Sequence, residues 1–344
     1  MALYMKMFQQ HLRLHQIFTI MVIMKLLVAS RPPRIYNLIA EDKSIDYNPY
    51  DSAIGPYQRC VSMCTLDSEC FSFDFTPQST TPYGECRLYD TTYSIYTNQS
   101  RVLKTQTGTR YYSTFPKDCA DLYTLGLRQS GVYQVHLLGK FQRNVYCLMD
   151  RYDGGWMAFQ RRFDGSVEFK SRGWSDFKNG FGDPYGEYYL GNEMLHLLTT
   201  AEDHDYRVMA TTFTTNERNS KLIRNVVITD EADKYRIRFE LSSIESTSIG
   251  YGGRMRNHQF STFDNDNDDG SNENCAQKFG AWWHSQCHNN GMNGYYKGKD
   301  DYLFSSASTA WGLMGEGIHW SIWKGIDESL KTSMLMIRPS NFKA

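Results

Sequence analysis

The sequence predicts an α+β protein made of two disulfide-bonded units, each built on antiparallel strands. Three observations lead there: cysteines that fall in close pairs, short segments in which apolar residues alternate, and a change of pattern at Asp118. With 344 residues, 41% of them hydrophobic, the chain is long enough to bury two cores. Residues 1–30 read as a leader, 31–112 as the first unit, 113–117 as a connector and 118–344 as the second unit.

Charge and composition narrow the function. Lys and Arg (37) nearly cancel Asp and Glu (38), so no global field attracts phosphate backbones or an anionic membrane surface, and no nucleic-acid partner is expected. Aromatic residues make up 15% of the chain, with 24 Tyr and 7 Trp, which suits antiparallel sheet and contact surfaces. Binding is the expected activity.

The N-terminus carries Lys6 and Arg13, an apolar run from Ile17 to Met24, Lys25, and then Leu26 to Ser30 before Arg31-Pro32-Pro33. A basic stretch, a short apolar stretch and small residues resemble a secretory signal cut near Ser30. The run falls short of the roughly 20 residues of a membrane span, so a signal anchor is the weaker alternative. The mature chain is expected to be secreted and extracellular, where disulfides persist. Eight cysteines, at Cys60, Cys64, Cys70, Cys86, Cys119, Cys147, Cys275 and Cys287, fit that compartment. Chain proximity pairs the first four among themselves, then Cys119 with Cys147 and Cys275 with Cys287.

In the first unit, Cys60 and Cys64 share one face of a helical turn. Phe71, Phe73 and Phe75 alternate as a strand, and Cys86-Arg87-Leu88-Tyr89 is its hairpin partner across a turn-rich stretch. A helix pinned to a hairpin resembles the PAN/apple module, and that resemblance implies Cys60 with Cys86 and Cys64 with Cys70. The third bridge that joins the termini in some members has no cysteines here. A zinc site would need these cysteines as thiolates in a reducing compartment, against the secreted reading. Residues 90–117, rich in Thr, Ser and Tyr, finish the first unit and form the short connector, and Asn98-Gln99-Ser100 makes Asn98 a glycosylation candidate.

Beyond Asp118, strands are expected at 131–137, 144–149 and 154–160, then at 206–213, 235–241 and 333–338, with a helix around Gly191 to Leu198. The segments Asp118-Cys119-Ala120-Asp121, Ser130-Gly131-Val132-Tyr133, Gly154-Gly155-Trp156, Gln160 to Val167, Gly180-Phe181-Gly182 and Leu190-Gly191-Asn192-Glu193 run in order. They are followed by Asn274-Cys275-Ala276, Ala281-Trp282-Trp283, Cys287-His288 and Met292-Asn293-Gly294. Together they resemble the fibrinogen C-terminal domain over Asp118 to Pro339. The resemblance implies a central twisted antiparallel sheet and a loop-rich C-terminal part with calcium and ligand sites. Leu148 departs from the family, which usually has Asp there.

The segment from Asp264 to Asn274 holds five carboxylates and no base, a density that repels itself unless water or a cation neutralises it. Oxygen donors at alternate positions suit Ca2+, but Asp269 and Cys275 stand where an EF-hand needs Gly and Glu. The fibrinogen resemblance makes Asp266 and Asp268 the direct ligands, with carbonyls of Gly270 or Ser271, and of Asn272 or Glu273, completing the site.

Ficolins and tachylectins, which share this fold, bind acetyl groups beside a cis Cys-His peptide step enclosed by aromatics. Carried over, that pocket comprises Phe279, Trp283, Cys287, His288, Met314 and Ile326. Met314 and Ile326 stand where acetyl-binding relatives have aromatics, which changes its shape. His284, Cys287 and His288 do not make a zinc site, since Cys287 is expected in a bridge, and no nucleophile elbow or phosphate loop indicates an enzyme. The leading expectation is a calcium-dependent, lectin-like pattern-recognition protein for glycans or acetylated surface groups. The alternative is a matrix or receptor-ligand protein that binds a protein partner. A single weak site would favour a homo-oligomer.

Overall fold

The computed structural model describes residues 36–45, 48–67, 70–78, 81–90, 103–113, 115–139, 141–244, 254–270, 273–285, 287, 290–298, 316–326 and 328–344. The chain forms two compact units that divide between Phe115 and Pro116. Four disulfides pair Cys60 with Cys86, Cys64 with Cys70, Cys119 with Cys147 and Cys275 with Cys287.

The first unit contains β1 (Asn37–Ile45), β2 (Asp51–Pro56), α1 (Tyr57–Leu66), β3 (Ser72–Pro77), β4 (Tyr83–Tyr89) and β5 (Leu103–Ser113). Its strands make one antiparallel sheet in the order β1-β5-β3-β4-β2. Register sets Phe73 opposite Leu88 and Phe75 opposite Cys86, so all four point to one side. There they meet Cys60 and Cys64, which the four-residue spacing puts on the inner face of α1. The two bridges from α1 hold helix to sheet, where a unit this small has limited apolar area. On the opposite face the buried Asp74 carboxylate accepts from Ser44 Oγ (2.5 Å), Arg87 Nε (2.8 Å) and Tyr89 OH (2.7 Å). β5 is where the composition alone indicated only the end of a domain. Its pairing with β1 and β3, not a local hydrophobic pattern, makes it a strand.

The second unit opens with α2 (Cys119–Thr124), whose N-cap Asp118 accepts from Asp121 N at 2.8 Å. Then come β6 (Gly131–Leu137), β7 (Phe141–Leu148), β8 (Trp156–Arg162), α3 (Trp174–Asn179), β9 (Phe181–Gly182), β10 (Tyr188–Tyr189) and α4 (Asn192–Ala201). β11 (His204–Thr212), β12 (Arg218–Ile228), β13 (Ile237–Arg238), α5 (Cys275–Phe279), β14 (Asn290–Gly291), β15 (His319–Trp320), α6 (Ser321–Lys324) and β16 (Leu330–Pro339) complete it. The main sheet runs β13-β12-β11-β16-β8-β10-β9, with the β6-β7 hairpin joined to β8. The last strand, β16, thus lies at its centre, between β11 and β8.

One side of the sheet buries Trp156, Ala158, Leu222 and Met336. On the other, Phe159 and Tyr189 pack edge to face, and Phe177 extends the stack to Phe260 beside the C-terminal loops. α3 ends at Gly180, with φ 87°, where a Cβ would stand 2.5 Å from the Leu190 carbonyl oxygen. Of the strand expected over 235–241, only Ile237 and Arg238 pair, with Ile228 and Val227. Arg236 is turned instead toward Asp233, which it meets at 2.9 Å.

Candidate functional site

The acidic loop is held at its start by a short bridge: Ser261 pairs with Trp282 and Thr262 with Asn265. Its carboxylates divide the work. Asp264 accepts from Thr262 Oγ1 (2.6 Å) and from the backbone N of Trp174 (2.9 Å), so it ties the loop to the start of α3. Asp269 pairs with His258 Nδ1 at 3.0 Å, and Glu273 with Lys278 at 3.6 Å. Asn274 accepts from Gln277 N at 2.8 Å and caps α5.

Asp266 and Asp268 remain at the centre. Asp268 accepts from Gly270 N (2.8 Å) on one oxygen and from Cys275 N (2.9 Å) on the other, which folds the chain around its carboxylate. Burial raises the Asp268 pKa above the usual carboxylate range, and the adjacent Asp266 carboxylate pushes the same way. A Cβ on Gly270 would stand 2.7 Å from Asp268 Oδ1 and 2.9 Å from the Glu273 carbonyl oxygen. Two oxygens thus converge beside a position that only glycine leaves open. Such a donor set suits a hard divalent cation. Among the described residues, no three His, Cys, Asp or Glu side chains gather as a purely side-chain metal site would require. Ser271 and Asn272 lie outside the described residues.

Cys275 and Cys287 close the neighbouring loop, but the tryptophans within it do not form an open wall. Trp283 is 1% exposed, donates from Nε1 to the Tyr235 carbonyl (2.8 Å), and packs edge to face on Phe260 and Trp282. Phe279 is fully buried against His319. Where the sequence led one to expect Trp283 and Phe279 at a ligand, the structure places both rings in the core. Both bury a large ring more favourably beside the sheet than in water, and Trp283 also finds an acceptor there. His284 is buried too. Its Nε2 donates to the Gly280 carbonyl, and burial, reinforced by His319, drives its pKa down to about 4. Trp320 is buried and Ile326 half-buried, while His288, Met314 and Asn98 lie outside the described residues. The Cys287-His288 step does so as well.

The loops rest on the sheet through two side chains of β8. Gln160 donates to the Met292 carbonyl at 2.8 Å and accepts from Ser333 Oγ, and Arg162 donates to the Gly294 carbonyl at 2.9 Å. Arg162 sits 3.5 Å from Glu187, whose carboxylate also takes the backbone N-H groups of Phe163, Asp164, Gly165 and Val167. These buried polar groups position the 292–294 turn against the sheet.

Residues 115–340 match the family described as fibrinogen beta and gamma chains, C-terminal globular domain. The chain belongs to this family. Bovine fibrinogen-like protein 1 is 36% identical over 68% of this chain and 74% of its own length. Mouse microfibril-associated glycoprotein 4 is 36% identical over 65% of this chain and 84% of its own length. Lamprey fibrin D-dimer, solved with the peptide ligand Gly-His-Arg-Pro-amide, superposes with a TM-score of 0.55 at 27% identity, over 67% of this chain and 75% of that one.

Fibrinogen-type domains are binding modules rather than enzymes. In this one, the anchoring roles of Asp264, Gln160 and Arg162 went unread in the sequence, although Gln160 and Arg162 belong to the Gln160 to Val167 segment that carries the resemblance. No local spacing signals these roles, because the partners, Glu187 and Ser333 among them, lie far along the chain.

Proposed function

We propose that this chain is a secreted recognition protein whose fibrinogen C-terminal domain binds a protein or peptide partner through its loop-rich C-terminal part, with calcium held in the acidic loop. The burial of Phe279 and Trp283 carries the choice of partner: two aromatics that would enclose an acetyl group are committed to the core. The peptide bound to the lamprey relative points the same way. Asp266, Asp268 and the Glu273 carbonyl would hold the cation, which would offset the repulsion between the two carboxylates and stiffen the segment leading to Cys275. Secretion is supported by the pairing of all eight cysteines, and no helix among the described residues is long and apolar enough to cross a membrane. The first unit, with its helix bridged twice, would be a PAN/apple-like module offering a second contact surface.

Purified protein passed over an extracellular-protein array and a glycan array, each with calcium and then with chelator, tests this reading. Calcium-dependent retention on proteins is expected. Retention confined to acetylated glycans would overturn it in favour of a lectin.

A further inference from the structure

Away from the acidic loop, one face of the main sheet collects arginines. Residues directly opposite in an antiparallel pair point to the same side. Register sets Arg338 opposite Asp205, Arg207 opposite Leu222 and Met336, and Arg218 opposite Thr211, with odd-numbered positions of β11 on one face. Arg224 joins them through a bulge in β12 and reaches Asp205 at 3.4 Å.

Two of these guanidiniums are held, not loose. Arg207 and Arg338 both lie over the Trp156 ring, at 4.9 and 4.2 Å, and Arg207 also covers Tyr152 at 4.4 Å. Arg338 donates to the carbonyls of Tyr152 (3.1 Å) and Gly154 (2.6 Å), and Arg207 to Ser220 Oγ (3.1 Å).

Their charge is only partly balanced. Asp205 is buried and already accepts from Ser340 Oγ (2.7 Å) and Asn225 N (3.3 Å). Asp153 acts on Arg338, while Asp150 faces Arg218 and lies 3.8 Å from Arg151. Among the described residues, Arg207, Arg218, Arg224 and Arg338 thus gather about Asp150, Asp153 and Asp205, with Arg151 also drawing on Asp150. Burial pushes the Arg338 pKa down to about 10, and Arg207 and Arg224 press it the same way against Asp153 and Asp205. Arg224 keeps 56% of its side chain exposed, and Arg218 is exposed.

We propose that this face binds a sulfated polysaccharide. The positive groups spread along β12 from Arg218 to Arg224, about 20 Å of strand at the usual rise. Since an exposed ion pair contributes little alone, such a row selects a ligand with an anion on nearly every unit. The guanidinium fork matches sulfate oxygens, and a polysaccharide chain is long enough to reach the exposed Arg218 and Arg224 at the margin of the buried Trp156, Leu222 and Met336 cluster. The site is independent of the acidic loop and of any partner bound there.

Heparin serves as the probe, with desulfated heparin and polyglutamate beside it, in about 0.15 M salt. Heparin is expected to bind, and Arg218→Ser with Arg224→Ser to weaken it about tenfold and lower the salt needed for elution. Arg59→Ser with Arg110→Ser removes the same charge from exposed positions of the first unit and is expected to change little. Circular dichroism melts check that both pairs fold. Absence of heparin binding by the wild-type chain, equal weakening by the two pairs, or polyglutamate binding as tight as heparin would each overturn the proposal.

Discussion

Replacing Asp266 by Ala tests the proposed calcium site apart from folding. In the structure Asp266 accepts from Asp268 N at a long 3.3 Å and its carboxylate acts against that of Asp268, so without calcium its loss is expected to cost no more than about 0.5 kcal/mol. Asp268 differs, because its two oxygens satisfy Gly270 N and Cys275 N. Asp268→Ala strands both donors, at about 1–3 kcal/mol each, and lowers the melting temperature even in chelator. Calcium at a hundred times its dissociation constant stabilises a folded state by about 2.7 kcal/mol. For a domain of this size that amounts to roughly 5–11 °C. Thermal unfolding of wild type, Asp266→Ala and Asp268→Ala, each in calcium and in chelator, reads all of these effects. The expected pattern is a wild-type shift of that order, an Asp266→Ala protein that melts like wild type in chelator but has lost the shift, and an Asp268→Ala protein low in both conditions. A full calcium shift in Asp266→Ala would refute the ligand assignment.

Two further outcomes follow from buried groups. His284 is neutral in the fold with a pKa of about 4, against an ordinary 6.5, so the unfolded chain binds the extra proton between those values. Its contribution is present above about pH 6.5 and fades as pH falls, by about 3 kcal/mol in all. His284→Gln should flatten that slope in denaturant titrations, and an unchanged slope would exclude His284 as its source. In the first unit, Asp74→Ala leaves Arg87, Ser44 and Tyr89 without their shared acceptor, for a loss of about 3–5 kcal/mol read from denaturant midpoints. A loss below about 1 kcal/mol would contradict the network's role.

The legible parts of the fold were those written in local pattern. The alternation at 131–137 became β6, the segment near Gly191 became α4, and the four-residue spacing of Cys60 and Cys64 became the inner face of α1. β1, β2, β5 and β12 were not read, because their pairing partners rather than their own sequences make them strands. In the acidic loop, the surplus of carboxylates was visible but their division of labour was not. Asp264 is held by Trp174 and Asp269 by His258, partners that no spacing rule connects to them.

By itself the sequence determined the family, the positions of the cysteines, the acidic loop and the near-zero net charge, since each depends on residue identity or on neighbours a few positions away. Only the tertiary structure decided which aromatics are core and which charges gather. Trp283 and Phe279 are sealed by Tyr235, Phe260 and His319, and Arg207, Arg218 and Arg338, which cancel in the whole-chain total, are brought to one face by strand register. Burial and register are properties of long-range pairing, which composition averages away.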